Sequence, residues 1–255
     1  MANTVFDNKI IEAKAKDLLT TKINTRNLMT VDTSLALEPG MTKTINVYTF
    51  TGAAEELANG QGNSTRGSLK FVGTDYKVKR VQSNFDYTDD DFMADNTVVD
   101  NGVAGATTEL KNKMNADFFA ECEKATLSKT GALGYETIVD AIAELNVEDE
   151  TGVFVVIPND KKAELRKDED YKTARMGEVV YTGQVGTVCG IPVIASAAAT
   201  NAYVMTKDAV KLFLKKDISA GQERDEDTTL NSVYVRAYYI AALVDNTKIC
   251  KIVEA

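Results

Sequence analysis

Residues 43–82, KTINVYTFTGAAEELANGQGNSTRGSLKFVGTDYKVKRVQ, carry the pattern on which the reading of the whole chain turns. From Lys43 the side chains alternate. Ile45, Val47 and Thr49 fall on one side and Asn46, Tyr48 and Phe50 on the other, the period of two that marks a strand. A second run from Ser68 to Gln82 holds Leu69, Phe71, Tyr76, Val78 and Val81. Between them TGAAEELANGQGNSTRG, with four glycines and many small polar residues, suits a turn-rich tip. The two runs predict one long hairpin. A lone two-stranded ribbon is marginal in water, so this one requires a second surface, from its own chain or from another subunit.

Working outward, the segment before the ribbon is short on signals. Val5 to Thr21 places Ile10, Ala13, Leu18 and Leu19 among lysines, a short amphipathic helix with a modest apolar stripe. A polar stretch then runs to the Pro39-Gly40 turn, and everything before that turn reads as an arm ordered by its neighbours. After the ribbon, Asp89 to Asp91 form an acidic turn, and Asp95 or Asn96 caps a long helix. Val99, Val103, Ala106, Leu110, Met114, Phe118, Cys122 and Ala125 recur every three or four residues, so Thr97 to Ser128 predicts a rod of about 45 Å. Gly131 and Gly134 end it.

Beyond Tyr135 the pattern is mixed α and β. Thr137 to Asn146 is a short helix with Ile138, Ala141, Ile142 and Leu145 on one face. VFVVI at 153–157 is a continuous apolar run, as in a strand buried on both sides. DKKAELRKD makes a further helix after Pro158. GQVGTVCGIPVIAS at 183–196 reads as two short strands turning at Cys189-Gly190. Strands follow at Tyr203–Met205 and Val210–Leu214, then the acidic connector QERDEDTT, then the strands SVYVRAYYIAALV and KICKIV.

The 255-residue composition is that of an ordinary folded protein, 44% apolar and 26% charged. Histidine is absent, which removes the commonest general acid/base and metal ligand. A net charge of −9 opposes a protein that grips nucleic acid over its whole surface. Cys122, Cys189 and Cys250 are odd in number and far apart, and read as small buried apolar residues in a reducing compartment. No apolar run reaches membrane-spanning length, and the polar start lacks a signal-peptide pattern. The glycines at 183, 186 and 190 invite a phosphate-loop reading but lack the Lys-Ser/Thr pair and the following helix, so tight strand turns explain them better. The acidic clusters at 89–91, 148–150 and 223–227 lack the spacing of a calcium loop. No catalytic, metal or cofactor residues are assigned. At the ribbon tip Glu55, Glu56, Arg66 and Lys70 form a mixed-charge set suited to contacts between subunits.

These elements in this order resemble the major capsid proteins of tailed phages, which share the Hong Kong phage capsid fold with encapsulins. The most specific pieces are GQVGTVCGIPVIAS, similar to that family's glycine-rich turn before a Pro-Val strand, VFVVIPNDKKAELRKDEDY, and the ending VRAYYIAALVDNTKICKIV. The resemblance implies an α+β fold with an N-terminal arm (1–42) and an extended β-hairpin loop (43–87) lying over a neighbouring subunit. It further implies a peripheral domain with a long spine helix (88–134 and 210–244) and an α/β axial domain (135–209 and 245–255). The implied function is a non-enzymatic shell protein assembling as pentamers and hexamers around phage double-stranded DNA. Scaffolding protein, portal and decoration proteins are the implied partners, DNA is touched only weakly and non-specifically, and no membrane is involved. The implied location is the virion, assembled in the bacterial host cytoplasm. Lys70 or Lys77 sits where some relatives form a self-made crosslink, but no matching Asn and Glu are found, and no crosslink is expected. An encapsulin-type compartment and a small phosphate-binding enzyme are the alternatives.

Overall fold

Two sheets share one long helix in the computed structural model, which describes residues 10–15, 25–174 and 186–254. The first sheet has four strands in the order β1 (Thr30–Asp32), β10 (Val210–Asp225), β11 (Leu230–Leu243), β4 (Lys79–Thr88). β1 runs parallel to β10 and the other pairs are antiparallel. The second has six strands, β5 (Leu127–Thr130), β12 (Ile249–Val253), β9 (Ala202–Thr206), β6 (Val153–Pro158), β8 (Ile191–Ser196) and β7 (Thr187–Val188). β2 (Thr42–Thr51) and β3 (Ser68–Lys77) form the separate ribbon. The helices are α1 (10–15), α2 (Asp89–Ala94), α3 (Val98–Cys122), α4 (Tyr135–Leu145), α5 (Lys162–Lys167) and α6 (Glu169–Ala174).

The apolar stripe of α3 works as its spacing predicts: Val99, Val103, Ala106, Leu110, Met114, Phe118 and Cys122 are all buried, and so is Ala125 just past the helix end. They meet Leu212, Leu214, Val233, Val235 and Tyr239 of the four-stranded sheet, and the same core continues into Phe154, Tyr203 and Met205 of the six-stranded one. Gly102 makes this approach possible, because a Cβ there would lie 2.3 Å from the Phe85 ring of β4. The other face of the six-stranded sheet packs on α4 through Ile138, Ala141 and Leu145, with Leu165 and Tyr171 beside them. VFVVI is buried at every position, as a central strand requires.

Several expectations are corrected. α3 ends at Cys122, so the rod is about 37 Å, and Leu127–Thr130 leaves it to pair with β12. The second ribbon run divides at Val78, whose N–H donates to Met41 O at 2.8 Å; residues 79–88 then pair with β11. The acidic turn is the first turn of α2, capped by Thr88 and Asp91, and Asp89 pairs with Arg224 of its own chain at 2.8 Å. Part of the acidic connector, Gln222–Asp225, continues β10. On α1 the buried residues are Ile11 and Ala15, whereas Ile10 is exposed and so is Ala13; the rest of that expected helix lies outside the described residues. Cys189 is exposed, unlike Cys122 and Cys250.

Candidate assembly surfaces

The ribbon has a fastened base and an uncovered outer half. At the base Ile45 is buried with Leu35, Phe213, Ile240 and Ala242, and Lys43 lies over the Phe213 ring at 4.7 Å. Farther out, the antiparallel register pairs Tyr48 with Phe71 and Phe50 with Leu69, which puts all four on one face. They are 59%, 66%, 70% and 62% exposed respectively, and the Tyr48 and Phe71 rings stand 5.9 Å apart. Fully burying a side chain of this size contributes about 1.5–3 kcal/mol, so covering the roughly two thirds still exposed contributes about 1–2 kcal/mol each, and this face is a strong candidate for burial between subunits.

The tip is organised despite its composition. The Phe50 ring lies across Gly52 and Gly67, where a Cβ would come within 2.8 and 2.7 Å of it. Glu55 accepts from Ser64 N at 2.7 Å, Ser64 Oγ at 2.7 Å and Thr65 N at 2.9 Å. The Ser64 hydroxyl first, then its backbone amide, hold this carboxyl below the ordinary carboxylate range. Of the four residues named from sequence, Glu55 therefore turns back to brace its own loop, while Glu56, Arg66 and Lys70 are exposed.

Three carboxylates near the end of α3 escaped the sequence reading, yet they tie the parts together. Asp117, buried, accepts from Lys79 Nζ at 2.9 Å and Tyr239 OH at 2.9 Å, with Lys113 Nζ at 3.2 Å. Burial pushes its carboxyl up, but these partners win and it lies below its ordinary value. Glu121 accepts from Tyr76 OH of the ribbon at 3.3 Å and from Lys124 Nζ at 2.6 Å. Burial, then the Glu121 charge, push the Tyr76 phenol up to about 12. Glu123 reaches the six-stranded sheet, accepting from Tyr203 OH at 2.5 Å, Asn201 Nδ2 at 2.6 Å, Thr200 Oγ1 at 2.8 Å and Lys251 Nζ at 3.3 Å. Sequence could reveal only that Asp and Glu stood at buried-side spacing on an otherwise apolar stripe.

At the far edge of the six-stranded sheet β7 and β8 turn through Cys189 (φ 50°) and Gly190 (φ 82°), the two positive-φ positions of a tight hairpin turn. This is the turn expected from GQVGTVCGIPVIAS; Gly183 lies outside the described residues. Tyr135 OH stands 3.3 Å from Cys189 Sγ. Among the described residues no group of three or more Cys, Asp or Glu is placed to hold a metal ion, and no helix is long and apolar enough to cross a membrane.

No family model matches the chain. It is similar to the major capsid protein of Staphylococcus phage phiMR11, 26% identical with 91% of this chain and 88% of that protein covered. Among solved structures it resembles the capsid of Ralstonia phage GP4, with TM-score 0.69, 9% identity and coverage of 88% and 86%. It also resembles the Mycobacterium phage Che8 structure, with TM-score 0.64, 16% identity and 89% of each chain covered. The virus-like particle of Pyrococcus furiosus matches with TM-score 0.65 and 11% identity over 97% and 100% of the two chains.

Proposed function

We propose that this chain, whose fold is the Hong Kong phage-type capsid fold, is the major capsid protein of a tailed phage or prophage, a structural shell subunit with no catalytic role. The observation that carries the reading is the ribbon: an apolar outer face held away from its own core, in a chain whose curated relative is a capsid protein over nearly its whole length. A face that a single subunit leaves wet, and that a neighbour covers, is a repeating heterologous contact of the kind that closes shells.

In this reading the ribbon is the extended loop, and α3 with the four-stranded sheet is the peripheral domain. The six-stranded sheet with α4 to α6 is the axial domain, whose turns gather around the symmetry axes of pentamers and hexamers. Glu56, Arg66 and Lys70 at the ribbon's outer end are contact residues. Scaffolding and portal proteins, packaged double-stranded DNA and decoration proteins are the partners such a shell requires, and the virion is its place, after assembly in the bacterial cytoplasm. The excess of acidic residues suits an interior that releases its genome. The Pyrococcus likeness supports a second reading, a compartment for protein cargo, in which the same contacts enclose a different content.

Deleting residues 52–67 tests the assignment. Apart from half-buried Glu55, all of these residues are exposed, so the subunit should keep its circular dichroism while shells fail or become irregular. Regular shells from the deletion would contradict the role given to the ribbon.

A further inference from the structure

The four-stranded sheet turns one face away from α3, and on it β4 and β11 pair Arg80 with Tyr238, Gln82 with Arg236 and Asn84 with Tyr234. Two guanidinium groups converge there on one neutral oxygen. Arg80 Nη2 donates to Gln82 Oε1 at 2.9 Å and Arg236 Nε donates to the same oxygen at 2.7 Å. Arg236 also lies over the Tyr234 ring at 5.1 Å. Neither arginine makes an ion pair among the described residues. Arg26 and Arg224, by contrast, each meet an aspartate with two parallel hydrogen bonds. On the same face Glu223 is engaged by Tyr234 OH at 3.3 Å, and Asp86 lies four residues along β4 from Gln82, about 13 Å away.

Two like charges drawn onto one amide oxygen repel each other, and the amide neutralises neither. Unused N–H groups of both forks remain for an anion with two oxygens, which would bridge them with charge-assisted hydrogen bonds. We propose that Arg80, Gln82 and Arg236 form a carboxylate clamp, and that in the assembled state it holds Glu56 from the ribbon tip of a second copy. The proposal rests on the shell reading and names the partner surface of its ribbon.

Three observations select this occupant. The chain has 38 acidic against 29 basic residues, so a neighbouring copy offers spare carboxylates, whereas a nucleic acid would meet a net negative surface. At the tip Glu55 is consumed by Ser64 and Thr65, which leaves Glu56 exposed. Arg80 follows the base of the ribbon by three residues, while Glu56 lies beyond the far end of ten-residue strands, a separation of about 30 Å. The two cannot meet within one chain, so their contact runs head to tail between copies. Tyr234 and Tyr238 on either side give the ribbon's apolar face a surface of matching character.

The test is a charge swap in the full-length chain, read by sedimentation velocity in the conditions where the unaltered protein assembles, with circular dichroism to verify folding. Arg80→Glu with Arg236→Glu, and separately Glu56→Arg, should each lower the assembled fraction at least tenfold, and combining all three should restore most of it. If charge reversal unfolds the sheet, Arg80→Gln with Arg236→Gln keeps the clamp testable and should weaken assembly several-fold. Normal assembly by the folded arginine variants, or a triple variant no better than the worse parent, overturns the clamp. So does loss of duplex-DNA binding in the arginine variants alongside normal assembly of Glu56→Arg, since the site would then serve phosphate. An unaltered chain that stays monomeric in every condition overturns the shell reading itself, an outcome distinct from assembly that ignores these residues.

Discussion

Replacing Glu123 with Gln removes a charge at the joint between the long helix and the six-stranded sheet while keeping the side chain's shape. Burial works against this carboxylate, but donors from Tyr203, Thr200, Asn201 and Lys251 outweigh it and hold its pKa at about 2 against an ordinary 4.5. That difference alone corresponds to about 3.4 kcal/mol at 1.36 kcal/mol per tenfold change. The side chain is 36% exposed, so solvent screening reduces the expected contribution to roughly 1–2 kcal/mol. The sign follows from linkage. A carboxyl with a depressed folded-state pKa stabilises fully above pH 4.5, and that stabilisation is lost as pH falls towards 2. Urea unfolding of unassembled subunits should therefore find Glu123→Gln about 1–2 kcal/mol less stable than the unaltered chain at pH 7, with the gap closing between pH 5 and 2. Other carboxylates titrate in both proteins and cancel in the comparison. A gap that stays constant with pH would refute the reasoning, because the charge of Glu123 would then not be what its donors recognise.

Further perturbations probe the core and the ribbon. Phe118→Ala empties a fully buried site on α3 and should cost about 3–5 kcal/mol in urea unfolding; a loss below 1 kcal/mol would mean the helix packs elsewhere. Gly102→Ala forces a Cβ into the Phe85 ring and should destabilise by about 1–3 kcal/mol, a cost that Phe85→Leu in the same chain should relieve in thermal melts. Tyr76→Phe removes the donor to Glu121 and should cost about 1 kcal/mol while loosening the ribbon's base, seen as faster amide exchange in β2 and β3 with α4 unchanged.

Local patterns were legible wherever one face of an element met the core. The helical spacing from Val99 to Cys122 named buried residues of the α3 stripe one by one, and VFVVI announced a central strand. Cys189-Gly190 announced a tight turn through its glycine. Pairing partners were not legible, because a strand's neighbour is set by distant sequence. Between Ser68 and Gln82 the apolar residues change parity, from Tyr76 and Val78 to Val81, but with no glycine or proline at Lys77-Val78 the sequence alone does not say that this slip marks the chain leaving β2 for β11. The charged end of β10 resembled a connector because Arg224 finds its carboxylate 135 residues away at Asp89. The helix seemed longer because Ala125 keeps the spacing for one turn beyond Cys122.

At the candidate site the sequence picked out the tip and its exposed charges but not their division of labour. Glu55 and Glu56 are neighbours of the same type, and only the Ser64 hydroxyl with the Ser64 and Thr65 amides decides that one is internal and the other exposed. Asp117, Glu121 and Glu123 were invisible as a junction, since each answers to a partner in a different part of the chain. The Arg80-Gln82-Arg236 cluster likewise needs the β4–β11 register before its members meet.

Sedimentation velocity with negative-stain microscopy, on the chain expressed alone and then with a candidate scaffolding protein, tests the central claim most directly. Closed shells or capsomer rings in either sample are the predicted result. A folded monomer of 27.7 kDa in both, over the full range of concentration and salt, would contradict it.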